Sequence, residues 1–115
     1  MRKNLTKAEI LRKKPEISIV FASKVVYRTQ GLHLRIVEND LGWSRVLFTT
    51  PRMFRGAVAR NRARRHVREA YRLIKGQLRG HYDMVFVLYP GLYEFSDRFS
   101  QVESLLHRAE AIPQS

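Results

Sequence analysis

Between Arg52 and Arg72 the chain carries eight arginines and a single acid, Glu69. Arg60, Asn61, Arg62, Arg64, Arg65 and Arg68 are the densest part of this stretch. Arginine outnumbers lysine 16 to 6 over the whole chain. A guanidinium group binds phosphate in a fork and stacks on bases, which an ammonium group does poorly. The chemistry on offer is therefore recognition of a polyanion. Bond-breaking groups are scarce. Cysteine is absent, and His33, His66, His81 and His107 are scattered, with no Asp at a spacing that suggests a triad or a metal site. The sequence thus offers no catalytic residue and no metal ligand set. His66, without an orienting partner, reads as structural or solvated.

Charge and length bound the rest. In 115 residues, 22 Lys and Arg oppose 10 acids, a formal net charge of +12. Such an excess points to nucleic acid, and less often to an anionic membrane surface. One domain is expected. No apolar run approaches the roughly 18 residues of a membrane span, and no signal peptide is recognisable, so a cytoplasmic protein without a membrane partner is expected. Residues 1–4 are expected to form a flexible basic tail and residues 112–115 a flexible C-terminus.

The arginines need a helix to array them. From Gly56 to Lys75 the pattern predicts about five helical turns ended by Gly76. At about 100° per residue, Ala63, Val67, Ala70, Tyr71 and Ile74 fall on one apolar arc. Arg60, Asn61, Arg64, Arg65, Arg68 and Arg72 occupy an adjacent arc, with Arg62 and Glu69 on the remaining side. A solvated face without a partner is the usual fate of a charge run. Here Arg60, Arg64 and Arg68 repel at i, i+4 by roughly a few tenths of a kcal/mol per pair, and the neutral Asn61 cannot relieve them. A bare face would rarely be built this way.

Thr6 with Glu9 predicts a capping box and a helical turn to about Lys13. Pro15 suits the first position of a second short helix, with Ile17, Val20 and Phe21 on one face. Leu32, Leu34 and Ile36 alternate as in a half-buried strand, and Arg45–Thr50 reads as another, joined to it through the turn residues Asn39, Asp40 and Gly42. Met84–Tyr89 is an unbroken apolar strand covered on both faces, and Phe95 to Ala111 a last amphipathic helix. The class is α+β.

The segment Ala57-Val-Ala-Arg-Asn-Arg-Ala-Arg-Arg-His-Val-Arg-Glu-Ala-Tyr-Arg72 resembles the signature of the bacterial ribonuclease P protein subunit family. Weaker resemblances flank it, from Leu11 through Phe21, Arg45-Val46 and Asp83 to Leu106. There are departures. Pro51-Arg52-Met53-Phe54-Arg55-Gly56 stands where the family usually has Ser-Lys-Lys-x-Gly. Ile17 replaces an aromatic, Arg35 a frequent Tyr, and Tyr89 a common basic residue.

The resemblance implies a single-domain α/β sandwich (ribosomal protein S5 domain 2-like), with a four-stranded sheet, three helices and a left-handed strand–helix–strand crossover, against the usual hand. It implies the protein subunit of a ribonucleoprotein endoribonuclease that removes the 5′ leader of precursor tRNA. Catalysis would lie in the RNA subunit, with Mg²⁺ required by that RNA and no cofactor bound by the protein alone. Its partners would be the catalytic RNA and precursor tRNA, with no DNA expected. Arg52, Arg55, Arg60, Asn61, Arg62, Arg64, Arg65 and Arg68 would face the catalytic RNA. Ile17, Phe21, Arg35 and Thr49 would line the leader cleft, although Ile17 and Phe21 equally fit plain core packing. Two other classes stand beside this one. A structural RNA-binding protein, such as a small ribosomal protein, fits the composition. A DNA-binding module would want a compact helix-turn-helix.

Overall fold

The structure, a computed structural model, describes residues 5–113. Three helices accompany the sheet: α1 (Lys14–Phe21), α2 (Ala57–Ile74) and α3 (Phe95–Arg108). The strands are β1 (Tyr27–Thr29), β2 (Leu32–Glu38), β3 (Arg45–Thr49) and β4 (Tyr82–Leu88), in spatial order β1-β2-β4-β3. β4 runs antiparallel to β2 and parallel to β3, and α2 forms the crossover between β3 and β4.

The central position of β4 explains its composition. Met84, Phe86 and Leu88 face a core built with Val67, Ala70, Tyr71 and Ile74 of α2 and Val102, Leu105 and Leu106 of α3. Val85 points to the opposite face, where Leu11 and Val20 bury it beneath α1. The sheet is thus covered fully on one side by two long helices and partly on the other by a short one. That incomplete cover leaves part of the sheet face beside α1 open, with Phe21 exposed.

The five apolar positions foreseen for the arginine helix are the five it buries. Its ends differ from expectation. Gly56 takes φ of 92°, a left-handed conformation that a side chain resists, and so turns the chain sharply into α2. At the other end Gly76 does not cap in that conformation; the backbone tightens into a 3-10 turn over Lys75–Gln77.

Several sequence expectations need correction. The Thr6–Glu9 capping box forms, but its helix is a single 3-10 turn, Lys7–Glu9. Ile10 instead bridges to Val46, extending the sheet edge. Pro15 is the second residue of α1, not its first. β2 and β3 follow one another in sequence but are not neighbours, because β4 lies between them. Asn39 still makes its turn, accepting from the Leu41 amide at 3.0 Å, while its side chain donates to Asp83 at 2.8 Å. β1 is only three residues long, too short to show a period in the sequence. α3 stops at Arg108, where Glu110 adopts φ of 57° and the Ala111 amide donates back to Leu106. That turn sends Ala111 and Ile112 into the core, so Ile112 is not part of a flexible end. The expected basic tail, residues 1–4, and residues 114–115 lie outside the described residues.

Candidate nucleic-acid interface

Phe54 is the anchor that aims the first arginines. It is buried in the main core and closes a turn by donating its amide to Pro51 at 3.0 Å. With Phe54 inward, Arg52 and Arg55 on either side project into solvent. On α2, Asn61, Arg62, Arg65 and Arg68 are exposed, while Arg60 and Arg64 are half-buried. Arg60 donates to the Phe54 carbonyl at 3.0 Å, so it fastens the loop as well as carrying charge. Arg64 reaches Thr50 Oγ1 at 3.3 Å and Asn61 Oδ1 at 3.4 Å. Among the described residues, the side chains of Arg52, Arg55, Arg65 and Arg68 have no hydrogen bond or ion pair. Arg62 has only a loose contact with Glu94 at 3.8 Å, both side chains exposed. Such a pair is worth little. Six of the eight expected arginine-face residues therefore present a polar head to solvent without a firm internal partner.

Glu69, the only acid on α2, gives both carboxylate oxygens to Arg72, at 2.8 and 2.5 Å, and this pairing holds its carboxyl below the ordinary range. His66 is held below the usual imidazole value by burial and by Arg62 and Arg65, with Glu94 opposing. Its ring meets Phe95 edge-on at 5.9 Å. No group of three His, Asp or Glu among the described residues is placed to hold a metal ion.

The cleft on the other face of the sheet is built differently. Arg35 donates to the carbonyls of Phe21 (3.1 Å) and Ser23 (3.0 Å), and its guanidinium lies 5.4 Å from the Phe21 ring centre. The structure thus brings two of the four expected cleft residues into direct contact. Phe21 stays 41% exposed, enough ring to receive another planar group. Ile17 instead packs against the small core of Leu11, Val20 and Val85, so the packing reading describes it. Thr49 sits one row further along the sheet, in register with Val87, which in turn opposes His33. Sequence reasoning passed over that row. His33 and Tyr89 bring their rings within 4.5 Å, and Arg28 is the register partner of His33 on β1. The alternation of His33 with Arg35 on β2 was the available signal, but the pairing with Tyr89 depends on strand register, which no local pattern contains. Burial, with help from Arg28 and Arg35, holds His33 below its usual value.

Arg45, at the start of β3, ties α1 to the sheet. It donates to both oxygens of the buried Asp83, at 2.8 and 2.5 Å, and pairs with Glu16 of α1 at 2.8 Å. The two carboxylates hold its guanidinium above the ordinary arginine range. α1 is thereby tied to β3 and β4 through one side chain.

The family description "Ribonuclease P" matches residues 5–110, nearly the whole chain and both surfaces just described. The chain belongs to the ribonuclease P protein family. The ribonuclease P protein component of Borrelia hermsii is 35% identical over 97 residues, covering 84% of this chain and 83% of that one. That of Alkaliphilus metalliredigens is 31% identical over 98 residues, covering 84% and 86%. Among solved structures, the Staphylococcus aureus RNase P protein superposes with a TM-score of 0.82 at 15% identity, covering 93% of this chain and all of that one. The Thermotoga maritima protein gives 0.76 at 24% identity, covering 87% and 96%. At such identities the structural likeness speaks for the fold alone. As a ribonuclease P protein, the chain is the protein subunit of a ribonucleoprotein endonuclease, and an RNase P RNA is its partner. The ribosomal and DNA-binding readings give way to this one. Among the described residues no helix is long and apolar enough to cross a membrane.

Proposed function

We propose that this ribonuclease P protein docks on its RNA subunit through Arg52, Arg55 and the exposed face of α2, and holds the 5′ leader of precursor tRNA in the cleft beside α1. The observation that carries this reading is the pair of opposed surfaces: unpaired guanidiniums on the helix layer, and Phe21 with Arg35 on the far side of the sheet. The first suits the phosphates of a folded RNA, whose binding releases counterions. The second suits a single strand, whose bases stack on exposed rings and guanidinium planes. Arg35, already over Phe21, offers the flat face that the missing second aromatic would have supplied.

Phosphodiester hydrolysis would belong to Mg²⁺ held by the RNA. The commitment of Glu69 to Arg72 supports that division, since the arginine helix has no other carboxylate to bring to a metal. The protein would work in the cytoplasm, where precursor tRNA is made in bacteria. Reconstitution tests the reading. The chain added to a bacterial RNase P RNA at low Mg²⁺ is expected to stimulate cleavage of precursor tRNA. Phe21→Ala is expected to weaken precursor over mature tRNA by about 1–3 kcal/mol while assembly with the RNA persists. Equal loss for both tRNAs in a folded variant removes Phe21 from the leader site.

A further inference from the structure

A third feature belongs to neither surface. Between the first turns of α2 and the loop Pro90–Glu94 lies a cavity of about 720 Å³. Small-ligand sites span about 300–1,000 Å³. Val58 and Leu92, 83% and 103% exposed, stand at its walls. Single exposed apolar residues are ordinary, but two flanking one cavity form a patch that water covers at a cost. Arg55 and Arg62 line the same cavity.

Its aromatic wall is Tyr93, whose ring lies close against Gly31 and Gly91: a Cβ on Gly31 would stand 2.6 Å from it, and one on Gly91 2.3 Å. Against it, at 4.5 Å, lies the guanidinium of Arg98, a side chain 2% exposed. Arg98 is itself immobilised by the carbonyls of Gly31 (2.7 Å) and Tyr89 (3.0 Å) and by Gln101 Oε1 (3.0 Å). A loop anchor alone would not require Leu92 to project uncovered beside the ring. Apolar walls, a preset aromatic and a cationic rim together match a nucleotide: a planar base with an anionic backbone.

We propose that this cavity receives one unstacked base from a single-stranded stretch of the RNA subunit, packed against Tyr93 and Leu92, with the adjoining phosphates on Arg55 and Arg62. The proposal rests on the assignment of α2 to the RNA subunit, with which the cavity is continuous; the leader cleft lies across the sheet. His66, also in the wall, is kept toward its neutral form, which has one ring donor and one acceptor for a base edge. The loose Arg62–Glu94 contact yields Arg62 to phosphate at little loss.

The test compares the full chain with Tyr93→Ala and Tyr93→Phe in binding to RNase P RNA over a range of salt. The parent must first stimulate precursor-tRNA cleavage; if it does not, the assignment of function fails before the cavity is reached. Tyr93→Ala is expected to bind about tenfold more weakly with an unchanged salt slope, because a stack carries no charge, and Tyr93→Phe to bind like the parent. Undiminished binding by a folded Tyr93→Ala overturns the proposal, and so does a loss accompanied by a shallower salt slope, which would mean displaced arginines. Should Tyr93→Ala not fold, p-benzoylphenylalanine at the fully exposed Leu92 provides the second reading. A photo-crosslink to one unpaired nucleotide of the RNA subunit supports the cavity; a crosslink to the tRNA leader, to duplex RNA or to nothing overturns it.

Discussion

The arginine helix and the cleft beside α1 use the same residue type to opposite ends. On α2 and the loop before it, Arg52, Arg55, Arg65 and Arg68 have no partner among the described residues. Around the cleft, Arg45 spends its donors on the carboxylates of Asp83 and Glu16, while Arg35 engages only Nη1, on two carbonyls, and keeps its guanidinium over Phe21. An unpaired guanidinium on a rigid helix is a charge held ready for something outside the chain. A saturated one, as Arg45 is, is part of the frame. Partner accounting therefore separates binding arginines from structural ones more sharply than position in a motif does.

The largest effect expected from this contrast is on stability. Arg45→Ala leaves Asp83, only 6% exposed, without its strongest partner and unties Glu16. Breaking one side of a buried pair costs about 3–5 kcal/mol, and with Arg45 at the margin of the core the lower end is expected. Urea unfolding would read about 3 kcal/mol for Arg45→Ala but within about 0.5 kcal/mol of the parent for Arg65→Ala. Similar losses in the two would erase the distinction between frame and binding arginines.

Binding should reverse the order. Arg65→Ala is expected to weaken association with RNase P RNA by about 1.5–3 kcal/mol, the worth of a charge-assisted contact, and to reduce the salt slope by about one. Arg60→Ala should show both faces of the contrast, since Arg60 carries charge and also holds the Phe54 carbonyl. An Arg65→Ala variant with an unchanged slope would move the phosphate footprint off this part of α2.

The two regions also differed in how legible they were. The arginine face followed from a local rule: a 3.6-residue repeat fixes which side chains share a face, and Ala63, Val67, Ala70, Tyr71 and Ile74 take the core side and leave the arginines to the rest. The cleft rests on contacts between distant residues. His33 meets Tyr89 because β4 inserts between β2 and β3, and Asp83 finds Arg45 for the same reason. Nothing within either segment announces the insertion. Arg35, one of the replaced family positions, gained its role only when α1 was laid over the sheet and Phe21 came under its guanidinium. Arg98 shows the same limit: nothing in the local pattern of the last helix signals that this charge is buried against Tyr93.

A smaller effect uses one histidine from each region. Burial lowers the proton affinity of both His33 and His66, and the repelling neighbours are Arg28 and Arg35 for the first, Arg62, Arg65 and Arg98 for the second, where Glu94 opposes them. Because both folded values are depressed, the unfolded chain takes up protons first as pH falls. The stability they contribute is full above about pH 6.5 and is lost as pH drops through the folded values. Melting temperature should therefore decline from about pH 7.5 to 5.5, and less so in a His33→Gln, His66→Gln double variant. By imidazole proton NMR, Arg62→Ala should raise the titration of His66 alone and Arg28→Ala that of His33 alone. Cross-effects would mean that the regions share one electrostatic environment.

The smallest expected effect is on Asn61, the uncharged member of the arginine face. Its Oδ1 accepts from Arg64 at 3.4 Å, a long contact on an exposed helix, so its loss should cost almost nothing in stability. Alanine is the better helix former, and Asn61→Ala should melt slightly higher, by a few tenths of about a kcal/mol. What Asn61 can do is steer Arg64, whose other end is held only by Thr50 at 3.3 Å. If steering is its whole contribution, Asn61→Ala should weaken association with RNase P RNA in the parent background and have no further effect once Arg64→Ala is present. A double-mutant cycle measures that coupling directly. Full additivity would give Asn61 a contact of its own with the RNA, since its amide has two donors and an acceptor to offer. Normal binding by Asn61→Ala at every Mg²⁺ concentration would leave it a bystander and confine recognition on this face to the guanidiniums.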